Sequence, residues 1–167
     1  MDISKFANLD IVLVCGLPGS GKAQFSSGFF KGSGRRRVNR WEIRRMLYEM
    51  TTFGDTWSEE RYSVVDEVLV KHVERKIIEH LLQNRLPVLV ENTSISAESR
   101  RTYLSIARQM HRTIGVIFLD TPMATCLDRN RRKADPVPER VIAELAAALR
   151  APEPREGFDQ LMVAEGR

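Results

Sequence analysis

The sequence predicts an α/β domain of three layers: a five-stranded, mostly parallel sheet with helices on both faces, and a basic lid. Three observations carry that expectation. Apolar runs of strand length alternate with segments of helical period from end to end, and such alternation demands crossovers between parallel strands. The first run, Ile11-Val12-Leu13-Val14-Cys15, opens into Gly-Leu-Pro-Gly-Ser-Gly-Lys at 16–22 and then an amphipathic stretch from Ala23 to Phe30. A cationic cluster at 129–133 follows the fourth strand and its helix, where a mobile cover would sit.

Composition bounds the class. The 167 residues suit one domain spanning 1–167. No apolar run nears membrane-spanning length, and no charged-then-apolar leader opens the chain. Neither a transmembrane helix nor a signal peptide is therefore expected. Cys15 and Cys126 fall on a strand and a helix without paired Cys/His spacing, which argues against zinc and for reduced thiols in a cytoplasm. The formal charge of +4 permits an anionic partner without requiring one.

Taken in order, Met1–Leu9 reads as a polar surface tail, followed by the first strand, glycine loop and helix. Arg35-Arg36-Arg37-Val38-Asn39-Arg40 reads as a short second strand, either a solvated charged edge or a patch for an anionic acceptor. Trp41–Met50 has Ile43, Met46, Leu47 and Met50 on one helical stripe. Thr56 and Glu59 have capping-box spacing before a long helix near Ser58–Gln83, with Tyr62, Val65, Leu69, Val73, Ile77 and Leu81 expected inward. Leu86–Val90 is a third strand, ending at Glu91-Asn92-Thr93. Ser96 can cap a helix from Ala97 to about His111. Thr113–Leu119 is a fourth strand, Thr121-Pro122 starts a helix, Pro138 opens another to Arg150, and Phe158–Val163 is the last strand.

The 16–22 loop is the phosphate-binding P-loop in the setting that motif requires, which makes this a P-loop NTPase fold. Glycines let successive backbone N–H groups curl around phosphate oxygens, and the following helix points its N-terminal dipole at the same anion. Gly16, Leu17, Pro18, Gly19, Ser20, Gly21, Lys22, Ala23 and Gln24 form the expected nucleotide contact, with Lys22 serving the β- and γ-phosphates. Ala23 departs from the pattern. A hydroxyl normally stands there to hold Mg²⁺, and a methyl group cannot.

Parallel topology places ligands at the C-terminal strand ends. That gathers Lys22, Asn39 to Glu42, Glu91 to Thr93 and Asp120. Phosphoryl transfer rests on positioning and charge neutralisation, so the 129–133 cluster reads as a lid over nucleotide. Its other reading is a solvated helix end whose cations offset the dipole.

The chain resembles the kinase domain of phage-type polynucleotide kinases and related small AAA-type P-loop kinases over nearly its whole length. The matching pieces are the 16–22 loop, Val-Asn-Arg at 38–40 with Ile-Arg at 43–44, Asn92-Thr93, Phe-Leu-Asp-Thr-Pro at 118–122, Arg-Asn at 129–130 and Glu-Gly-Phe-Asp at 156–159. The resemblance implies ATP-dependent transfer of a γ-phosphate to a hydroxyl, such as the 5′-hydroxyl of a nucleic acid. It implies an acceptor-side role for Arg44 and a lid cation near Lys133, with Arg132 adjacent and Arg129 a turn earlier. Where that family has a carboxylate base this chain has Trp41, with Glu42 next to it as substitute, and where it has an acidic residue near the metal this chain has Asn92. Trp41 could alternatively stack a base or pack at the helix start. The expected catalytic set is Lys22, Glu42, Arg44, Arg129 and Arg132, the cofactor ATP, with Mg²⁺ weakly held because Ala23 and Asn92 replace its usual ligands. The partners expected are nucleotide and a nucleic-acid or small hydroxyl acceptor, with no membrane. A kinase of weakened chemistry and a nucleotide-binding regulatory or scaffold protein both fit these residues. A nucleic-acid binder using the 35–45 arginines fits them less well.

Overall fold

The structure, a computed structural model, describes residues 2–166, so Met1 and Arg167 lie outside it. Five strands form one sheet in the order β2-β3-β1-β4-β5. They are β1 Ile11–Cys15, β2 Arg36–Val38, β3 Val88–Glu91, β4 Ile114–Asp120 and β5 Gln160–Glu165, and every pairing is parallel. The helices are α1 Lys22–Phe30, α2 Arg40–Thr51, α3 Val64–Gln83, α4 Ala97–Gln109, α5 Met123–Arg131 and α6 Glu139–Ala148. The α/β architecture is the expected one.

The pleat sends alternate residues to opposite faces. Ile11, Leu13, Val88, Val90, Val116 and Phe118 pack against Ile43 of α2, Val70, Ile78 and Leu82 of α3 and Tyr103 of α4. Val12, Val14, Leu89, Ile117 and Leu119 pack on the other face against Phe30 of α1 and Phe6. β1 is buried on both faces because it lies at the centre of the sheet. Ser96 caps α4 with a full capping box through Ser99. No helix among the described residues is long and apolar enough to cross a membrane.

Several local expectations are corrected. The lead-in is anchored, since Ser4–Phe6 is a 3-10 turn and Phe6 is buried. The agent is Arg35, whose Nη2 donates to the carbonyls of Phe6, Ala7 and Leu9. Arg35 is thus a staple, and Arg37 is paired with Glu91 and Glu42, so the 35–37 run is a charged edge strand with most of its cations already engaged.

The long helix starts at Val64, after a separate 3-10 turn at Glu59–Arg61, and Ser63 caps it by accepting from the Asp66 N–H. Thr56 and Glu59 therefore do not cap it. Its buried stripe is Glu67, Val70, Glu74, Ile78 and Leu82. Tyr62, Val65 and Leu69 are exposed, while Val73, Ile77 and Leu81 only flank the core. On α2 the inward residues are Arg40, Ile43, Arg44 and Leu47, and Met46 and Met50 face solvent. One cause explains both helices. Arg40 and Arg44 lie one turn apart on the face toward α3, and a buried guanidinium needs a carboxylate. Pairing Arg40 with Glu74 and Arg44 with Glu67 rotates α3 away from its most apolar face.

The 156–159 match resolves as stitching. Arg100 is fully buried, ion-pairs with Glu156 at 2.6 Å and donates to the carbonyls of Ser94 and Arg150. Asp159 accepts from the Ile114 N–H at 2.7 Å, which starts β5 beside β4.

Candidate active site

The loop from Gly16 to Lys22 joins β1 to α1 at the C-terminal edge of the sheet. Gly19 has φ +83°, and a Cβ there would lie 2.3 Å from the Cys126 carbonyl oxygen of α5. Only glycine satisfies both constraints, so the loop rests directly on the α5 backbone. Thr121 Oγ1 donates to the Ser20 carbonyl at 3.1 Å, and the Gly16 N–H donates to Thr93, which ties the loop to β4 and β3.

Lys22 Nζ folds back into the loop, donating to the carbonyls of Gly16 at 2.9 Å and Leu17 at 2.8 Å. Its ammonium is packed among protein atoms although the side chain stays partly accessible. Burial pushes its pKa down to about 8, Glu91 pulls it up, and Lys133 adds to the depression. Lys133, just past α5, therefore lies within electrostatic reach of the loop.

The other cations of the 129–133 cluster divide. Arg129 Nη2 donates to the Gly166 carbonyl at 3.4 Å, and its Nη1 is buried with no partner. Arg132 is largely exposed and pairs with Asp128 one turn back at 2.7 Å, while Arg131 pairs with Glu139 of α6.

Glu91, the last residue of β3, and Asn92, the next, point to opposite faces, as the pleat requires. Glu91 turns toward α1, beside Lys22 and the buried Ser26 hydroxyl, which itself falls short of hydrogen-bond geometry. Arg37 grips Glu91 through Nε at 2.9 Å and Nη2 at 3.2 Å, and Asn39 Nδ2 adds a third donor at 3.3 Å. Burial pushes the Glu91 carboxyl up, but Arg37, Ser26 and Lys22 together hold it below the usual range.

Asn92 turns toward α3 and α4. Its Oδ1 accepts from the Arg40 backbone N–H at 2.9 Å, and its Nδ2 donates to Glu74 and to the Tyr103 hydroxyl. Arg40 donates to Glu74 at 2.6 and 2.9 Å and to Tyr103 at 2.9 Å, and Tyr103 donates to Glu74 at 3.0 Å. The four side chains close a buried, charge-neutral network. Burial first, and Glu74 next, push the Tyr103 phenol up.

Glu42 is exposed at the start of α2 and accepts from Arg37 Nη1 at 2.8 Å. Arg44 pairs with Glu67 at 2.8 Å, with its guanidinium 5.5 Å from the Trp57 ring centre and 5.9 Å from that of Tyr62. Trp41 meets Trp57 edge-on, centroids 6.2 Å apart, and carries the Arg45 guanidinium 4.9 Å over its ring. Trp41 and Arg44 thus belong to one cluster of arginines and aromatics, running Arg45, Trp41, Trp57, Arg44 and Tyr62, with α3 supplying only its carboxylate.

Lys22 and Glu91 come together at the loop, and Glu42 is linked to them through Arg37. Arg44 and Arg132 are each held elsewhere by a carboxylate. Sequence reading placed Arg37 and Arg40 in the basic second strand without their partners, and passed over Glu67, Glu74 and Tyr103. Their trace was present: glutamates seven apart on the 67-70-74-78 stripe, opposite arginines four apart on the preceding helix.

A sequence profile for a family described as AAA domain matches residues 11–152. An L-seryl-tRNA(Sec) kinase of Methanococcus maripaludis is 23% identical over 149 residues, covering 89% of this chain and 56% of that protein. A chain of the Pnkp1/Rnl/Hen1 RNA repair complex superposes with a TM-score of 0.67 at 22% identity, covering 83% of this chain and 43% of the other. A chain of AvrRxo1-ORF1 with AvrRxo1-ORF2, crystallised with ATP, gives 0.63 at 17% identity, covering 87% and 48%. The chain spans about half the length of each of these proteins.

Proposed function

The chain belongs to the AAA domain family, and from that premise we propose that it binds ATP at residues 16–24 and slowly transfers the γ-phosphate to a hydroxyl. The observation that carries this reading is the loop itself, seated on α5 with the Lys22 ammonium folded inside it. On binding, Lys22 exchanges two carbonyls for phosphate oxygens, a stronger, charge-assisted contact. Lys133 and Arg129 add positive charge from the lid side. Glu42 takes the acceptor proton once Arg37 releases it, and Arg44 shapes the acceptor wall through Trp57 and Tyr62. Mg²⁺ that accompanies ATP would be held by phosphates and water, since Ala23 and Asn92 offer it nothing. The relative that acts on a seryl-tRNA and the neighbour from an RNA repair complex make an RNA-borne hydroxyl the first acceptor class to test. Buried, free Cys15 and Cys126 suit a reducing cytoplasm.

A second reading, nucleotide binding without transfer, draws support from the ion pairs that engage Glu42 and Arg44. Incubation with γ-labelled ATP, with and without oligonucleotides bearing a free 5′-hydroxyl, decides between them. Acceptor-dependent labelling is expected, at a rate about 10²–10⁴-fold below that of an enzyme with a positioned base. Saturable ATP binding with no label on any acceptor would leave the second reading standing.

A further inference from the structure

We infer that this site takes its nucleotide as the bare polyphosphate, countered by protein cations, so that a divalent metal contributes nothing to affinity. The inference rests on the nucleotide-binding reading above. A metal beside this type of loop needs oxygen donors, one from the residue after the lysine and one from the end of the neighbouring strand. Mg²⁺ asks for six oxygens in near-octahedral array.

The donors fail one by one. Position 23 is a methyl group. At position 92 the amide oxygen already accepts from the Arg40 N–H at 2.9 Å, and the amide nitrogen is committed to Glu74 and Tyr103. Turning that amide to present its oxygen would set a carbonyl against the Glu74 carboxylate inside the core. Glu74 is equally committed, one oxygen to Arg40 and the other to Asn92 and Tyr103. Glu91 lies beside Lys22, but Arg37 occupies both its oxygens and Asn39 adds to one. Ser26 and, in the loop itself, Ser20 leave two buried hydroxyls without partners, and two neutral oxygens with no carboxylate free beside them do not make a metal site. Among the described residues no three His, Cys, Asp or Glu side chains converge to hold a cation.

The surroundings are also already positive. The Lys22 ammonium is depressed in part by Lys133. Arg129 keeps a buried Nη1 with no partner, a donor left over after Gly166 is satisfied. A dication entering this field meets Lys22, Lys133 and Arg129 and an uncommitted carboxylate, the exposed Asp120 at the end of β4, whereas a free polyphosphate meets those cations without competition. Chelation by Mg²⁺ lowers the negative charge of ATP and so weakens its attraction to them.

The test is calorimetric titration of the whole chain with ATP at pH 7.5 and constant ionic strength, once in EDTA and once in excess Mg²⁺. The expected dissociation constants agree within about 3-fold, or favour EDTA. Binding at least tenfold tighter in Mg²⁺ would overturn the inference while leaving nucleotide binding intact. Absence of binding in both buffers would overturn the nucleotide reading and this inference with it.

Discussion

Asn92→Asp is expected to destabilise the protein by about 3–5 kcal/mol, the range for leaving an uncompensated charge in a buried pair. The substitution looks like a repair, because it restores the acidic residue that the resemblance to polynucleotide kinases implies just after β3. In this fold it does the reverse. Arg40 and Glu74 already cancel, and Asn92 donates its amide hydrogens to Glu74 and Tyr103. An aspartate would remove those donors and set a second carboxylate against Glu74, which is 2% exposed. Two carboxylates at that separation cannot both ionise without strain, so the loss should shrink as pH falls and the pair takes up a proton. The companion variant is Asn92→Asp with Glu74→Gln, which returns the network to one positive and one negative charge. It should recover most of the stability in urea or thermal unfolding. Full stability of the single variant, or no recovery in the double, would refute the charge account. A gain of kinase activity should accordingly be sought in the double variant, never in Asn92→Asp alone.

This network also shows where the sequence could be read and where it could not. β1, the glycine loop and the Ser96 cap were legible because each is local. An apolar run, a glycine spacing and a capping serine carry their meaning within a few residues. The same holds for the opposed faces of Glu91 and Asn92, which follow from the pleat alone. The orientation of α3 was not legible. Val65, Leu69, Val73 and Ile77 form the more apolar stripe, and transfer energies favour burying it. Burying Arg40 and Arg44 on α2 outweighs that preference, but it is a fact about a partner helix over 20 residues away in sequence. Apolar side chains such as Val65, 80% exposed, are left facing solvent as a result. The arginines at 35–37 were equally opaque. Their partners are three carbonyls of the lead-in and a glutamate on the neighbouring strand, none adjacent in the chain. The candidate catalytic residues divide in the same way. Lys22 was placed by its motif, whereas the pairing of Arg44 with Glu67 and of Glu42 with Arg37 depends on tertiary contacts.

Lys22→Met is expected to weaken ATP binding about 10- to 100-fold, the value of one or two charge-assisted hydrogen bonds, without lowering stability. The two effects part because the ammonium is a liability to the empty protein. Its pKa, pushed down from 10.5 to about 8, means that the folded state resists the charge more than the unfolded chain does. At neutral pH that costs up to about 3 kcal/mol, less what water reaching the partly accessible side chain returns. The two carbonyl contacts of Nζ offset part of the cost, so the melting temperature of Lys22→Met should hold or rise. The sign of the pH dependence follows. Below about pH 8 both states carry the proton and the penalty is complete. Between about 8 and 10.5 the unfolded chain binds more protons, so the penalty fades and the stability gap between variant and parent should close. Nucleotide affinity of the parent runs on the same ionisation in the opposite direction. Phosphate ionisation, with a second pKa near 6, is complete by pH 7.5, so affinity should stay flat to about pH 8 and then fall as the free ammonium loses its proton. In Lys22→Met that descent should disappear. Calorimetric titration across pH 7–9.5 with parallel melting curves measures both arms, and a variant that binds ATP normally while melting lower would mean that Lys22 braces the loop and takes no part in holding phosphate.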